Sequence, residues 1–206
     1  MTKIKIALPK GRFYDRSMAI IARTTNRDFC DIKKSKKLVF ESEDYTFFLL
    51  KSSDICKFIF DKKIDIGIVP DEWILEYELQ HKVTFDKLKR IEWVHTRISL
   101  ISKSANTIGN NDVIASSYPF IVLNYLEQKV QINNHPDIKI YKLNGSIEAT
   151  IPKIFAFGID CVESGKTISC NDLVELDIIH DNLSLSLIKK NGSNLNFHQI
   201  NNLYLD

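Results

Sequence analysis

Short runs of β-branched and aromatic residues alternate with longer amphipathic segments in the first half of the chain. An apolar/polar alternation is typical of a half-buried strand, and apolar residues three and four apart are typical of a helix. The proline and glycine clusters that follow several runs mark strand ends. The pattern predicts strands at residues 4–8, 38–40, 46–50 and 64–70, and helices at 13–23, 54–60 and 73–79.

The second half continues this alternation after one longer extended run. The segment IEWVHTRISLIS, from Ile91 to Ser102, is long enough for a strand that passes from one lobe into another. Strands and helices that alternate in this way favour an α/β fold with largely parallel strands. Further strands are predicted at 113–115, 138–143, 159–162 and 183–190, a helix at 118–129, a polar loop at 105–111 and a loop-to-helix segment at 145–156.

Composition restricts the class of protein. The chain has 206 residues, 44% hydrophobic and 26% charged, which is ordinary for a globular protein. A net charge of +2 argues against a general nucleic-acid binder. The four cysteines form no C-x-x-C pair and the histidines have no metal-ligand spacing, so free thiols and no protein metal site are predicted. The apolar run near the N-terminus is too short for a signal peptide or a membrane span, and we expect a cytoplasmic protein.

The segment VESGKTIS follows a predicted strand and contains several possible phosphate ligands. A strand, a glycine-containing turn and a helix start direct backbone N–H groups toward an anion. Ser164 and Thr167 can donate hydroxyl hydrogen bonds, and Gly165 allows close approach of the backbone. Glu163 would repel phosphate but can accept hydrogen bonds from ribose hydroxyls. The segment therefore predicts a ribose-phosphate site; the alternative is an ordinary turn capped by Ser or Thr.

Two further turns follow predicted strands. In ALPKGRF, Lys10 and Arg12 lie at the carboxyl end of a strand, where ligands bind in open α/β sheets, and could hold a polyphosphate. The alternative is a solvated basic turn. In KLNGSIEA, Gly145 and Ser146 offer amides and a hydroxyl; here the alternative is a helix start with Ser146 as N-cap and Glu148 in the first turn.

Together, and in this order, IALPKGR, KLNGSIE and DCVESGKT…NDLVE resemble the catalytic subunit of ATP phosphoribosyltransferase, the enzyme that opens histidine biosynthesis. SSDICKFIFDKKIDIGIV is similar to the family's segment in which a helix precedes a Gly-Ile-Val strand. IASSYP is similar to the family's turn before Tyr-Pro, and TRISLIS to the strand that joins its lobes. The resemblance covers nearly the whole chain in collinear order.

The resemblance implies a fold of two α/β lobes, like that of type II periplasmic binding proteins, closing over a central cleft. Lobe I is expected at 1–91 plus about 178–206, and lobe II at 92–177 with the loop for phosphoribosyl pyrophosphate (PRPP). The implied reaction transfers phosphoribosyl from PRPP to N1 of the adenine of ATP, with Mg²⁺ carried by the substrate phosphates. The length resembles that of short-form members, which implies a homodimeric core in a hetero-oligomer with a regulatory subunit related to histidyl-tRNA synthetase.

The resemblance also assigns residues. The loop from Glu163 to Thr167 is expected to bind the ribose and 5-phosphate, and Arg97 to face the nucleotide. Cations would neutralise the pyrophosphate and triphosphate, while carboxylates would stabilise positive charge near the anomeric carbon. The candidate catalytic residues are Lys10, Arg12, Lys51, Glu148 and Asp160, and the candidate substrate-binding residues are Lys36, Arg97, Gly145, Ser146, Glu163, Ser164, Gly165, Lys166 and Thr167.

Four positions depart from the family pattern. Pro70 replaces a glycine, Glu72 replaces the usual aspartate, Val113 replaces a frequent arginine, and Ala156 stands where an acid is common. These departures leave two alternatives open. One is a diverged PRPP-binding paralogue with another acceptor; the other is a two-lobe binding protein for a phosphorylated solute.

Overall fold

The computed structural model describes residues 3–105, 107–109, 111–130, 138–195, 200 and 203–205. The chain divides into two compact units, each built from separate stretches of sequence. Unit 1 takes residues 1–74, 83–93 and 185–206, and unit 2 takes residues 75–82 and 94–184.

Unit 1 has a mixed sheet with helices packed on it. Strands β1, β3 and β4 are parallel, β2 lies antiparallel beside β3, and β9 lies antiparallel beside β4. The strands are β1 (Ile4–Pro9), β2 (Val39–Glu41), β3 (Tyr45–Leu50), β4 (Ile66–Pro70) and the end of β9 (Val174–Lys190). The helices are α1 (Tyr14–Thr25), α2 (Phe29–Lys34), α3 (Ser52–Phe60) and α4 (Asp71–His81), of which α4 continues into unit 2; a 3₁₀ turn spans Gly11–Phe13.

Unit 2 is a second α/β unit. Strands β6, β7 and β8 are mutually parallel, and β5 lies antiparallel to β8. Besides α4, the long strands β5 and β9 each contribute residues to both units. The elements are β5 (Phe85–Ser102), β6 (Val113–Ser116), α5 (Pro119–Tyr125), a π-helical turn (Leu126–Val130), β7 (Lys139–Lys142), a 3₁₀ turn (Glu148–Thr150), β8 (Phe157–Val162) and α6 (Lys166–Cys170).

The core of unit 2 connects the segments that precede and follow β8. Ile147 and Ile151, which flank the 3₁₀ turn, share one buried cluster with Val162 of β8 and Ile168 of α6. A Cβ at Gly158 would lie 2.5 Å from Cγ2 of Ile147, so the isoleucine packs directly against the backbone of β8. The turns before and after β8 are therefore anchored in the same hydrophobic core.

Most of the predicted elements are confirmed, with small shifts at their ends. Two predictions need correction. The loop-to-helix segment at 145–156 contains only the 3₁₀ turn, because Ile151 is extended (φ −98°, ψ 134°) before Pro152, as residues before proline usually are. The helix predicted at 118–129 is α-helical only to Tyr125. The polar loop predicted at 105–111 lies partly outside the described residues.

The pattern of hydrophobic and polar residues predicts neither α2 nor the first halves of β5 and β9. All four cysteines are free thiols, with Cys30 and Cys170 exposed. Within the described ranges, none of the helices has the length and apolar character needed to cross a membrane.

Candidate active-site residues

The turns that follow β6, β7 and β8 lie at one edge of the unit 2 sheet. Because β6, β7 and β8 are parallel, the chain leaves all three strands at the same edge. The amide of Leu143, just after β7, donates to the carbonyl of Ser116 at the end of β6 (2.9 Å). The NGSIE turn and the VESGKT loop therefore lie at the carboxyl edge of one sheet, as ligand-binding turns of α/β proteins do.

The VESGKT loop exposes its donor groups. The side chains of Ser164, Lys166 and Thr167 are exposed, whereas Ile168 is buried and anchors α6. Gly165 precedes α6 with φ +72°, a left-handed conformation that strongly favours glycine. Helix α6 has only five residues, so its dipole adds little positive charge at the loop. The backbone amides and hydroxyls of the loop are the groups that can bind an anion directly.

Arg97 supports this loop from β5. Its Nη1 donates to the carbonyl oxygen of Glu163 (3.3 Å), while Nε and Nη2 donate to both carboxylate oxygens of Glu175 (2.7 and 2.5 Å). Ser99 donates a further hydrogen bond to Glu175 Oε2 (2.7 Å). The hydrogen bond from Arg97 lowers the pKa of Glu175, and this effect outweighs partial burial, which acts in the opposite direction. The structure thus brings Arg97 to the loop through a charged pair.

The NGSIE turn has an unusual backbone. Gly145 and Ser146 both have positive φ (117° and 56°), and both are exposed. The 3₁₀ turn begins after Ile147, so the interpretation of Ser146 as a helix N-cap is wrong. Glu148 is half-buried in that turn. Asp160 lies on β8, where its Oδ1 accepts from the amide of Cys161 (2.8 Å).

The predicted cations of unit 1 also lie at a strand edge. Pro9 of β1 pairs with Leu50 of β3, and the amide of Lys10 donates to the carbonyl of Leu50 (2.9 Å). Lys10 and Lys51 therefore leave adjacent parallel strands at their carboxyl ends. Lys36 is exposed and precedes β2, whose antiparallel start lies beside the end of β3. The structure groups these basic residues at one edge of unit 1.

Arg12 belongs to the same edge but has an acidic partner. Its Nη2 lies 3.1 Å from Oε1 of Glu72, which is only 2% exposed. Its guanidinium also stacks over the ring of Phe13, 4.7 Å from the centroid. Glu72, the departure from the family's aspartate, keeps a carboxylate for Arg12. Neighbouring Asp71 accepts a hydrogen bond from Ser186 (2.7 Å).

Three other residues depart from the family pattern. The local structure accommodates two of them, Pro70 and Ala156. Pro70 ends β4, beyond the last residue of β4 that pairs with β1, so its missing N–H removes no bond between those two strands. The carbonyl of Ala156 accepts from the hydroxyl of Ser102 (3.0 Å), a role that any residue fills. Val113 pairs with Lys139 at the start of β6. Nothing in the structure explains why valine replaces arginine there.

Three residues of unit 2 that organise this edge are absent from the candidate residues predicted from the sequence. Two are Glu175 and Ser99, described above. The third is Glu76 of α4, whose buried carboxylate accepts hydrogen bonds from the amides of Phe120 and Ile121 at the start of α5. Burial raises the pKa of Glu76. Each of these contacts joins residues far apart in sequence, so no local motif signals them.

No group of three or more His, Cys, Asp or Glu side chains suited to a metal ion occurs in the part of the chain that the structure describes. The candidate residues are thus hydroxyls, amides, cations and separate carboxylates. Such a set can bind phosphate and sugar hydroxyls and can stabilise charge that develops on a substrate.

Comparisons with known proteins agree on one family. A sequence model described as "HisG: ATP phosphoribosyltransferase" matches residues 51–206. An ATP phosphoribosyltransferase of Brachyspira hyodysenteriae is 32% identical over 190 residues, covering 90% of this chain and 88% of the relative. One from Dictyoglomus thermophilum is 30% identical over 183 residues, covering 86% and 83%.

The fold has a solved counterpart. The structure of an ATP phosphoribosyl transferase (HisG:HisZ) complex from Thermotoga maritima matches with a TM-score of 0.75 at 23% identity. The match covers 91% of this chain and 87% of the other. The predicted α/β fold class is confirmed by this likeness.

Proposed function

Because this chain belongs to the ATP phosphoribosyltransferase family, it transfers phosphoribosyl from PRPP to ATP in the first step of histidine biosynthesis, and we propose which of its residues hold each substrate. N1 of adenine attacks the anomeric carbon of PRPP as the bond from that carbon to pyrophosphate breaks. Pyrophosphate leaves with the electron pair, and phosphoribosyl-ATP forms. Since N1 is already a nucleophile, the protein must supply positioning and charge stabilisation.

Unit 2 holds the phosphoribosyl group. The observation that supports this most strongly is the VESGKT loop, with exposed hydroxyls at Ser164 and Thr167 beside a left-handed Gly165. The hydroxyls and the loop amides bind the 5-phosphate, Lys166 adds a positive charge, and Glu163 accepts from the ribose hydroxyls. The NGSIE turn at the same edge adds the amides and hydroxyl of Gly145 and Ser146.

Two carboxylates of unit 2 stabilise the transition state. Positive charge develops near the anomeric carbon as pyrophosphate departs, and a preorganised carboxylate lowers the energy of that charge. Glu148 and Asp160 belong to the segments that carry the two ribose-phosphate turns. We assign this electrostatic role to them.

Unit 1 binds polyphosphate through the basic edge formed by Lys10, Lys36 and Lys51, with Arg12 held beside them by Glu72. Mg²⁺ enters on the substrate phosphates, because this ion prefers phosphate oxygens and retained water. It would neutralise the departing pyrophosphate. Replacing Lys51 by alanine should cost roughly 10²–10³ in rate, the usual loss for one preorganised contact to developing charge.

A partner subunit completes the enzyme. The Thermotoga maritima structure contains HisG together with HisZ. We propose that this chain likewise forms a homodimeric core that assembles with a regulatory subunit related to histidyl-tRNA synthetase. We place the assembly in the cytoplasm, a location that suits the four free thiols.

The direct test is incubation of the chain, alone and with the candidate regulatory subunit, with ATP, PRPP and Mg²⁺. Mass spectrometry should detect phosphoribosyl-ATP, and omission of Mg²⁺ should abolish it. Thr167→Ala should weaken PRPP binding and Thr167→Ser should retain it. Thr25→Ala is the matched control, because that hydroxyl donates to the carbonyl of Ile21 within α1 of unit 1 (2.7 Å). Binding of PRPP with no consumption of ATP, in every assembly tested, would instead indicate another acceptor.

A further inference from the structure

The loop that we assign to the 5-phosphate rests on a charged pair, Arg97 and Glu175, to which the family resemblance assigns no joint role. The guanidinium of Arg97 uses Nε and Nη2 for Glu175 and Nη1 for the carbonyl of Glu163. An arginine side chain is flexible, and its planar fork is directed only when a partner fixes it. Here the two parallel bonds to the carboxylate fix the plane of the guanidinium, which sets the direction of the Nη1 bond to the loop.

Glu175 is itself held in place. Its Oε2 accepts from Nε of Arg97 and from the hydroxyl of Ser99, which is fully buried. Its Oε1 accepts from Nη2 of Arg97. The side chains of Arg97 and Glu175 are only 25% and 23% exposed, so solvent screens this pair less than a surface ion pair.

The pair also lies close to Gly165, the residue whose left-handed conformation shapes the loop. A Cβ at Gly165 would lie 3.4 Å from Nη2 of Arg97 and 3.7 Å from Oε1 of Glu175. The pair thus contacts the loop at the Glu163 carbonyl and leaves little room for a side chain at Gly165. A guanidinium that moved out of its plane would disturb both places at once.

From these contacts we propose that Glu175 is a positioning residue for the phosphate loop: it orients Arg97, and Arg97 holds the loop in the conformation that binds the 5-phosphate of PRPP. The inference rests on the proposed function of the loop. Glu175 does not touch the substrate in this role. Its contribution is to binding of the ribose phosphate, which is shared by the ground state and the transition state, so its loss raises KM more than it lowers kcat.

Electrostatics alone predicts the opposite effect. Glu175→Gln removes one negative charge near an anion site, which by itself would strengthen phosphate binding. The amide keeps one acceptor but turns an N–H₂ group toward the guanidinium, so the two-point pairing is lost. If positioning dominates, affinity should fall by about 10- to 150-fold, the range expected for the loss of one charged hydrogen bond.

The experiment measures binding of PRPP and ribose 5-phosphate to the full chain by calorimetry, with kcat and KM of the assembled enzyme. The variants are Glu175→Gln, Arg97→Gln and their double mutant, with Asp172→Asn as the charge-matched control. Asp172 is 86% exposed and pairs with Lys103 (3.3 Å), so it makes the same charge change without touching the loop. Ser99→Ala removes one hydrogen bond to Glu175 and gives a milder perturbation if Glu175→Gln unfolds.

We expect Glu175→Gln and Arg97→Gln to lose similar affinity for both ligands, the double mutant to lose no more than either, and Asp172→Asn to bind like wild type. Ser99→Ala should lie between wild type and Glu175→Gln. Wild-type or tighter binding by Glu175→Gln or, if that variant does not fold, by Ser99→Ala would overturn the positioning role and leave the proposed function intact. Failure of the wild-type chain to bind either ligand would overturn the phosphate assignment of the loop, and the inference with it.

Discussion

Replacement of Gly165 by alanine tests whether the left-handed turn before α6 is needed for ligand binding. Gly165 has φ +72°, and a Cβ there would lie 3.4 Å from Nη2 of Arg97. A side chain in the left-handed region costs about 1–2 kcal/mol. The added methyl group would also come into van der Waals contact with the guanidinium of Arg97, which is bonded to Glu175.

The conformational cost of alanine at position 165 must lower the free energy of unfolding, the affinity for ribose 5-phosphate, or both. If alanine keeps the loop in its present shape, the free energy of unfolding falls by about 1–2 kcal/mol, which lowers Tm by about 2–8 °C for a chain of this size. If the unliganded loop relaxes to another conformation, the same free energy is lost on binding. Affinity for ribose 5-phosphate then falls by about 5- to 30-fold.

Gly192 provides the matched control. It has nearly the same conformation (φ +76°), and a Cβ there would meet nothing within 4 Å. It follows β9 in unit 1, whereas the phosphate loop belongs to unit 2. Gly192→Ala should therefore lower Tm without changing affinity for ribose 5-phosphate.

The assays are thermal unfolding and calorimetric titration with ribose 5-phosphate for wild type and both variants. Gly165→Ala should show a combined loss in stability and affinity at least as large as the stability loss of Gly192→Ala. If Gly165→Ala had the Tm and affinity of wild type, the conformation assigned to the loop, and the argument built on it, would be wrong.

Three further predictions follow from packing and charge. Gly158→Ala should destabilise the protein by about 1–3 kcal/mol in urea unfolding, because the new methyl group would overlap Ile147 (2.5 Å); an unchanged midpoint would contradict this packing. Above the ordinary pKa of glutamate, wild type should have a larger free energy of unfolding than Glu175→Gln. This difference should shrink as the pH falls through the lowered pKa of Glu175. A difference that does not depend on pH would refute the charged pair. Arg12→Ala should cost about 1–3 kcal/mol by leaving the buried carboxylate of Glu72 without this partner, and adding Glu72→Gln should recover part of that loss; no recovery would mean that the pair is not the cause.

Strand ends were predictable because local chemistry determines them. Pro9 and Pro70 end their strands as the sequence predicts, and the alternation in β3 places every second side chain in the core. Since parallel strands present their carboxyl ends together, the turns that follow β7 and β8 could be expected at one edge. Residue type and parallel geometry were sufficient for this part of the fold and site.

The support of the loop could not be predicted in the same way. Arg97 and Glu175 are 78 residues apart, and their pairing depends on the placement of β5 and β9, whose first halves show no clear alternation. The family resemblance indicated Arg97 but assigned it to the nucleotide. By residue type alone, the segment after Ser146 resembles a helix start. No helix continues there, because Pro152 favours an extended conformation at Ile151.

The two units differ in how they can recognise phosphate. In unit 2 the arginine beside the loop is paired with Glu175, so in the site that we propose the 5-phosphate would meet directed hydroxyls and amides together with the single charge of Lys166. At the basic edge of unit 1, Arg12 is likewise paired, with Glu72, and the other candidate cations there are lysines, which act as mobile point charges. Directed hydrogen bonds discriminate a phosphate monoester by shape, whereas exposed lysines attract any polyphosphate and are screened by salt. This difference suits a reaction in which the phosphoribosyl group must be held in one orientation while pyrophosphate has to leave.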